Sequence, residues 1–224
     1  MSVGTPSAAV VAGPSSSGAA RQVLPSSGRG GDLRRDSTTE VVPAVPERWA
    51  DLVQVFGERG DPSWCWCQYH CTTGGGFRES AAANREALHV QVQASPPPGL
   101  IAYRAGDPAG WVRLGPIDAF PRVLENRLRR EAVGGDPAGL WAVTCFVVRP
   151  AHRRAGVATA LLAGAIEFAR EHGARTLEAH PVDTGGERAP SADLFRGVLS
   201  TFLAAGFSEV ARTGPQRPLV RLGL

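Results

Sequence analysis

The chain has 224 residues, of which 43% are hydrophobic and 20% charged, and its formal net charge is +3. That length suffices for one domain with a buried core, and so small a charge excludes a broad electrostatic field for nucleic acid or an anionic membrane. No run of about 20 apolar residues is present to span a bilayer, and all 24 basic residues are arginine.

Residues 1–35 are rich in Ser, Gly, Ala and Pro and poor in large apolar side chains. Such a segment buries too little to offset its ordering entropy, which predicts a disordered N-terminal tail followed by a domain over residues 36–224. The tail lacks a basic start followed by an unbroken apolar core, so it does not read as a secretory signal, and the protein is expected to be soluble and cytoplasmic.

The domain opens with a β-branched run at residues 38–43, read as a first strand. Pro46 suits the first position of a helix whose apolar stripe is Trp49, Leu52, Val53 and Phe56, and Gly57 stops it. Next, Trp64-Cys65-Trp66-Cys67-Gln68-Tyr69-His70-Cys71 gathers most of the cysteines. A zinc site would need a second ligand pair at metal spacing, so no metal is assigned. A disulfide does not suit a reducing compartment, which leaves small buried hydrophobes in core or pocket wall. Ser80 caps a helix to about residue 93, although residues 89–93 alternate like a strand. Residues 100–103 and 110–114 read as strands joined by a turn over residues 105–109. Over residues 117–136, Leu124 and Leu128 stand at helical spacing beside Arg122, Arg127, Arg129 and Arg130, which predicts a short surface helix. Interleaved glutamates argue for an ordinary charged face rather than an RNA-binding patch there.

Residues 141–148 form an apolar, β-branched run closed by Pro150, as a buried strand ends. Beyond Gly156, the residues Val157, Leu161, Leu162, Ala165, Ile166 and Ala169 recur at helical spacing until Gly173. The turn between strand and helix carries Arg153, Arg154 and Gly156. Free N–H groups at a helix start, room beside a glycine and two guanidinium groups together favour an anion. Neither G-x-x-x-x-G-K-[ST] nor a G-x-G-x-x-G after a strand is present.

The order Val148, Pro150, Arg153-Arg154-Ala155-Gly156-Val157-Ala158, then Ala160-Leu161-Leu162, resembles the acyl-CoA signature of the GNAT N-acetyltransferase superfamily, with Arg153, Gly156 and Ala158 in its defined positions. The segment Phe202-Leu203-Ala204-Ala205-Gly206-Phe207-Ser208-Glu209-Val210 is similar to the superfamily's second landmark, a helix ending in Gly-Phe before a strand. The resemblance runs from residue 141 to the end. It implies an α/β fold with a mixed, mostly antiparallel central sheet flanked by helices, and acetyl-CoA as cosubstrate. It also implies that Arg153 and the amides of Arg154, Ala155, Gly156, Val157, Ala158 and Thr159 bind the CoA pyrophosphate. Main-chain groups of Phe146, Val147 and Val148 would pair with the pantetheine arm.

Residues 175–182 read as a further strand, on which Glu178 and His180 share one face by the two-residue period. In the resembled fold this strand splays from the preceding one to admit the thioester, which makes Glu178 and His180 candidates for taking the proton of an amine. The bland alternative for His180, directly before Pro181, is a strand-end histidine. The segment after the first helix helps form the acceptor site in the superfamily. The Cys cluster is therefore expected to line the substrate pocket, with Tyr69 as a further catalytic candidate. Asp183 and Glu187, in a loop over residues 181–190, are placed to attract a cationic acceptor.

A helix is expected over residues 193–205, and around it the chain departs from the family pattern. Phe202 stands where many members carry a proton-donating tyrosine, Phe195 where an asparagine often contacts the cofactor, and Ala142 where some carry a glutamate. Positioning amine and thioester together still supplies roughly 7 to 11 kcal/mol in favourable cases, whereas one general acid or base contributes about 10²- to 10⁴-fold. The reading is an acetyl-CoA-dependent N-acetyltransferase acting on a small-molecule amine by direct transfer, the carbonyl polarised by an N–H near Val147 or Val148. A covalent route through Cys145 lacks an adjacent base. The alternative is a non-catalytic acyl-CoA-binding sensor or regulatory protein. No nucleic-acid or membrane partner is expected, and the oligomeric state stays open, a homodimer included.

Overall fold

The computed structural model describes residues 38–224 apart from 75, 76, 78, 134–136, 188 and 191; the tail expected over residues 1–35 lies outside them, and of the glycine run only Gly74 lies inside. Strand β1 (Thr39–Pro43) is followed by a 3-10 turn at Pro46–Arg48 and helix α1 (Trp49–Phe56), which ends at Gly57 as its sequence predicts. Helix α2 (Asp61–Cys65) covers part of the Cys cluster. Helix α3 (Ala81–Gln91) begins where the Ser80 hydroxyl accepts from the Ala83 amide at 3.0 Å, so the cap wins over the strand-like alternation of residues 89–93.

Strands β2 (Gly99–Arg104) and β3 (Asp107–Pro116) form a hairpin with a tighter turn than expected. The surface helix foreseen over residues 117–136 is instead a 3-10 turn at Ile117–Ala119 and two short helices, α4 (Pro121–Leu124) and α5 (Arg127–Val133). Its arginines are not all solvated: Arg129 is only 3% exposed, for a reason given below. Then come β4 (Leu140–Val148), α6 (Val157–Glu171) and β5 (Thr176–Ala179). The helix expected over residues 193–205 is interrupted at Gly197, whose φ of +79° leaves the helical region. A 3-10 turn (Asp193–Arg196) precedes the break and α7 (Leu199–Ala204) follows it, before β6 (Ser208–Arg212) and β7 (Pro218–Gly223).

These strands form one sheet in the order β1-β2-β3-β4-β5-β7-β6, in which only β4 and β5 run parallel. The sheet is thus mixed and mostly antiparallel, as expected. Side chains alternate between two cores by the period of the pleat. Leu100, Ala102, Val112 and Phe146 face α6 and Phe202, whereas Ile101, Trp111, Cys145 and Val147 face α1 and α3. At Gly164 a Cβ would lie 2.7 Å from Val41 Cγ1, so the glycine allows α6 to lie close against β1.

Candidate active site

Pairing between β4 and β5 ends at Val143 and Ala179, whereas β4 continues to Val148, so the parallel pair is open beyond that point. At the same level the register between β3 and β4 slips. Arg113 faces Cys145 and Leu114 faces Val143, which leaves Thr144 as an extra residue on β4, a β-bulge. A small pocket lies here, lined by His70, Val123, Val143, Thr144, His180 and Arg196.

Glu178 is fully buried and wholly engaged. Arg129 donates through Nε to Oε1 at 2.6 Å and through a terminal nitrogen to Oε2 at 3.0 Å, and Arg221 donates to Oε2 at 2.8 and 3.0 Å. Burial by itself raises the pKa of a carboxyl group. Here the hydrogen bonds that His180 and Arg129 donate outweigh it and hold Glu178 down to about 2. Glu178 therefore stays ionised with its acceptor positions taken, which corrects its reading as a proton acceptor.

The strand expected over residues 175–182 ends at Ala179, so His180 lies just beyond it, on the same side as Glu178, with its Nε2 3.1 Å from Glu178 Oε1. An ionised carboxylate only accepts, so Nε2 carries the proton in the neutral ring and Nδ1 is left as the acceptor. The carboxylate thereby sets the tautomer, and two guanidinium groups fix the carboxylate.

The Cys cluster divides between core and pocket. Trp66 and Cys67 belong to the core, where the Trp66 ring stacks on Phe56 with centroids 4.6 Å apart. All the cysteines are free thiols, and burial raises the pKa of Cys65, Cys67 and Cys71. His70 is the part of the cluster that reaches the pocket. Burial, followed by the charges of Arg196 and Arg122, drives its pKa down to about 3, so its ring is neutral. Tyr69 stands beside the pocket: its ring lies under the Arg122 guanidinium at 4.5 Å and edge-on to His70 at 4.8 Å. Arg122 also donates to the carbonyls of Tyr69, Thr72 and Gly74, tying this loop to α4.

Other expectations are settled by packing. Phe202 is fully buried against Phe146 and Phe207, a core position with no titratable group. Asp183 accepts from the Gly185 amide at 3.0 Å and from Arg212 at 2.9 Å, so its charge is already matched and does not wait for a cationic acceptor. Cys145 packs with Trp66, Cys67 and Trp111 on the far side of β4 from α6.

The turn after β4 fits a pyrophosphate. Gly156 is the N-cap of α6 at φ +77°, has no side-chain cap, and would project a Cβ into open space. The first amide to donate within the helix is Ala160, to Gly156 at 3.0 Å. The amides before it have no helical carbonyl in reach and are available to an anion. Arg153 and Arg154 are both exposed beside them, and Arg153 Nε donates to the Val148 carbonyl at 3.3 Å. On its β5 side, β4 has no strand partner from Thr144 to Val148 among the described residues, so Phe146, Val147 and Val148 lie along an open edge.

A strand that parts from its parallel neighbour, a bulge at the parting and an uncapped helix start are the architecture of an acyl-CoA transferase. The sequence profile described as the Acetyltransferase (GNAT) family matches residues 62–196, more than half of the chain. The chain belongs to this family and is an N-acetyltransferase that uses acetyl-CoA as cosubstrate. No curated protein matches it. Among solved structures, an N-acetyltransferase from Staphylococcus aureus Mu50 is similar with a TM-score of 0.52 at 15% identity, over 84% of this chain and 99% of that one. The GNAT domain of S. lividans PAT gives a TM-score of 0.51 at 22% identity, over 83% of this chain and 90% of that one. At such identities the likeness is one of fold.

Sequence reasoning missed Thr144, Arg196 and the pair Arg129 and Arg221. A bulge depends on how two strands register, and the partners of a buried carboxylate come from distant parts of the chain. The only available signal was Glu178 itself, a charged residue in an otherwise apolar strand that had to be paired if buried.

Proposed function

We propose that this protein transfers an acetyl group directly to a small-molecule amine, with His180 as the proton acceptor and Glu178 as a positioning residue. The observation that supports the reading best is the carboxylate-held imidazole of His180 in the wall of a pocket where β4 and β5 part. Acetyl-CoA supplies the acyl group: its carbonyl carbon bonds to the acceptor nitrogen as the C–S bond breaks and the electron pair leaves on sulfur. The α6 turn, with Arg153 and Arg154, holds the pyrophosphate, and the open β4 edge at residues 146–148 aligns the arm. The proton released by the amine goes to His180 Nδ1, because Nε2 is turned towards Glu178. Cys145 takes no part, being packed in the core without a base beside it.

The test is mass spectrometry of a mixed set of amines (amino acids, polyamines, aminoglycosides) incubated with protein and acetyl-CoA, with protein-free controls. A gain of one acetyl group on a small amine is the expected result. Retention of acetyl-CoA without acetylation of any of these amines would overturn the small-molecule reading.

A further inference from the structure

Among the residues that line the pocket, Arg196 is the one arginine, and no carboxylate among the described residues answers its charge. Arg129 and Arg221 are bound to Glu178, Arg122 to carbonyls, and Arg212 to Asp183 and Glu209. Arg196 lines the pocket and is half-buried, and no carboxylate or carbonyl accepts from it; its guanidinium rests on the Phe195 ring at 5.2 Å. Guanidinium groups stay charged in proteins. An Arg set into a pocket wall without a partner forgoes hydration and receives nothing in exchange until a ligand arrives.

The same pocket contains two further polar atoms that are buried and without a partner, His70 Nδ1 and Thr144 Oγ1. Both residues are at least nine-tenths buried. Buried polar atoms in proteins are nearly always satisfied, so two orphans meeting an unpaired cation in one pocket need a common explanation. The nearby acid, Glu178, is fully occupied, and the pocket lining includes no Asp or Glu. An acceptor that offered only an ammonium group would therefore meet positive charge without relief.

We infer that this pocket binds a carboxylate carried by the acceptor, received by Arg196 with hydrogen bonds from Thr144 and His70, so that the preferred substrates are amino acids or other amines bearing a nearby carboxylate. The inference rests on the amine-acetyltransferase reading and narrows it. A planar carboxylate matches the fork of one guanidinium, and its remaining lone pairs accept from the Thr144 hydroxyl and an imidazole N–H. With the acid group at Arg196, the amine of the same molecule is directed towards His180 in the same lining.

The experiment compares matched acceptors: a set of amino acids of increasing amine-to-acid spacing, their carboxamides, and the amines lacking the acid. The acid of best spacing should exceed its carboxamide in kcat/KM by on the order of 10²-fold, since a site built for a polar group rejects the analogue lacking it. In Arg196→Gln that ratio should fall towards one, and in the near-isosteric Thr144→Val it should fall in part. In a second arm, the N-acetylated amino acid should raise the melting temperature of the wild-type protein more than its amide does, and Arg196→Gln should lose the difference. Equal use of acid and amide by the wild type would overturn the inference while leaving the amine reading intact. A loss of acetyl-CoA affinity in Arg196→Gln without a change in acceptor preference would also overturn it, by making Arg196 a cofactor contact. If no amine is acetylated, the amine reading fails by itself, and the melting arm still decides whether the pocket takes a carboxylate.

Discussion

The Nε2 atom of His180 lies 3.1 Å from Oε1 of Glu178, a carboxylate that Arg129 and Arg221 also grip. The charge on Glu178 is thus set by its neighbours, and the ring of His180 is oriented by Glu178. In this arrangement the residue proposed to accept the proton lies just past the end of β5, two positions after the residue that fixes its tautomer. Removing the first should impair chemistry, and removing the second should impair stability as well.

For His180→Ala the expected outcome is a fall in kcat of about 10²- to 10⁴-fold with the affinity for acetyl-CoA unchanged. Steady-state kinetics and calorimetric titration of acetyl-CoA measure the two quantities separately. An undiminished kcat would remove His180 from the mechanism.

Glu178 also predicts how the fold responds to acid. Its pKa is depressed on folding, from 4.5 to about 2, so the unfolded chain binds this proton first as the pH falls. The stabilisation is complete above about 4.5, declines through the interval and is lost near 2, with a full size of roughly 3 kcal/mol. Urea unfolding at a series of pH values should show this slope in the wild type and lack its share in Glu178→Gln. At neutral pH the same variant should be less stable by about 3 to 5 kcal/mol, because Arg129 is then buried without its counter-ion.

Gly156→Asp places bulk and negative charge where the pyrophosphate is expected, and should abolish acetyl-CoA binding. The position has φ +77°, so any side chain there also strains the backbone. Gly156→Asn is the control, since asparagine tolerates the left-handed region and carries no charge. Calorimetry should show binding retained in part by Asn and lost by Asp. Comparable losses in both would assign the effect to strain.

Arg154 is exposed beside the same turn. Arg154→Glu should weaken acetyl-CoA binding strongly at low ionic strength and less so in high salt, because an exposed charge is screened. A defect indifferent to salt would count against a phosphate contact.

Gly164→Ala tests the packing of the core helix. In an exposed helix this change stabilises by roughly 1 kcal/mol. Here the new Cβ would sit 2.7 Å from Cγ1 and 3.2 Å from Cβ of Val41, a stiff branched side chain on β1. Overpacking should prevail, and the variant should unfold at lower urea by about 1 to 2 kcal/mol.

Much of this molecule was written in short-range pattern. The strand over residues 141–148, the turn with Gly156 and the amphipathic run to Ala169 are local features. Period, glycine placement and free helix amides depend on neighbours in sequence, so the turn proposed to receive the cofactor was legible. The shared side of Glu178 and His180 follows in the same way from the two-residue alternation of extended chain, which continues past the last residue of β5. What those two residues do was decided by arginines 49 and 43 positions away along the chain, which turn a candidate base into a fixed anion. The Thr144 bulge likewise exists only in the register of β4 against β3, and the pocket exists only where that bulge, the end of β5, the loop bearing His70 and the turn bearing Arg196 meet. Charge and hydrogen bonding act through space, and the distances over which they act were set when the sheet closed.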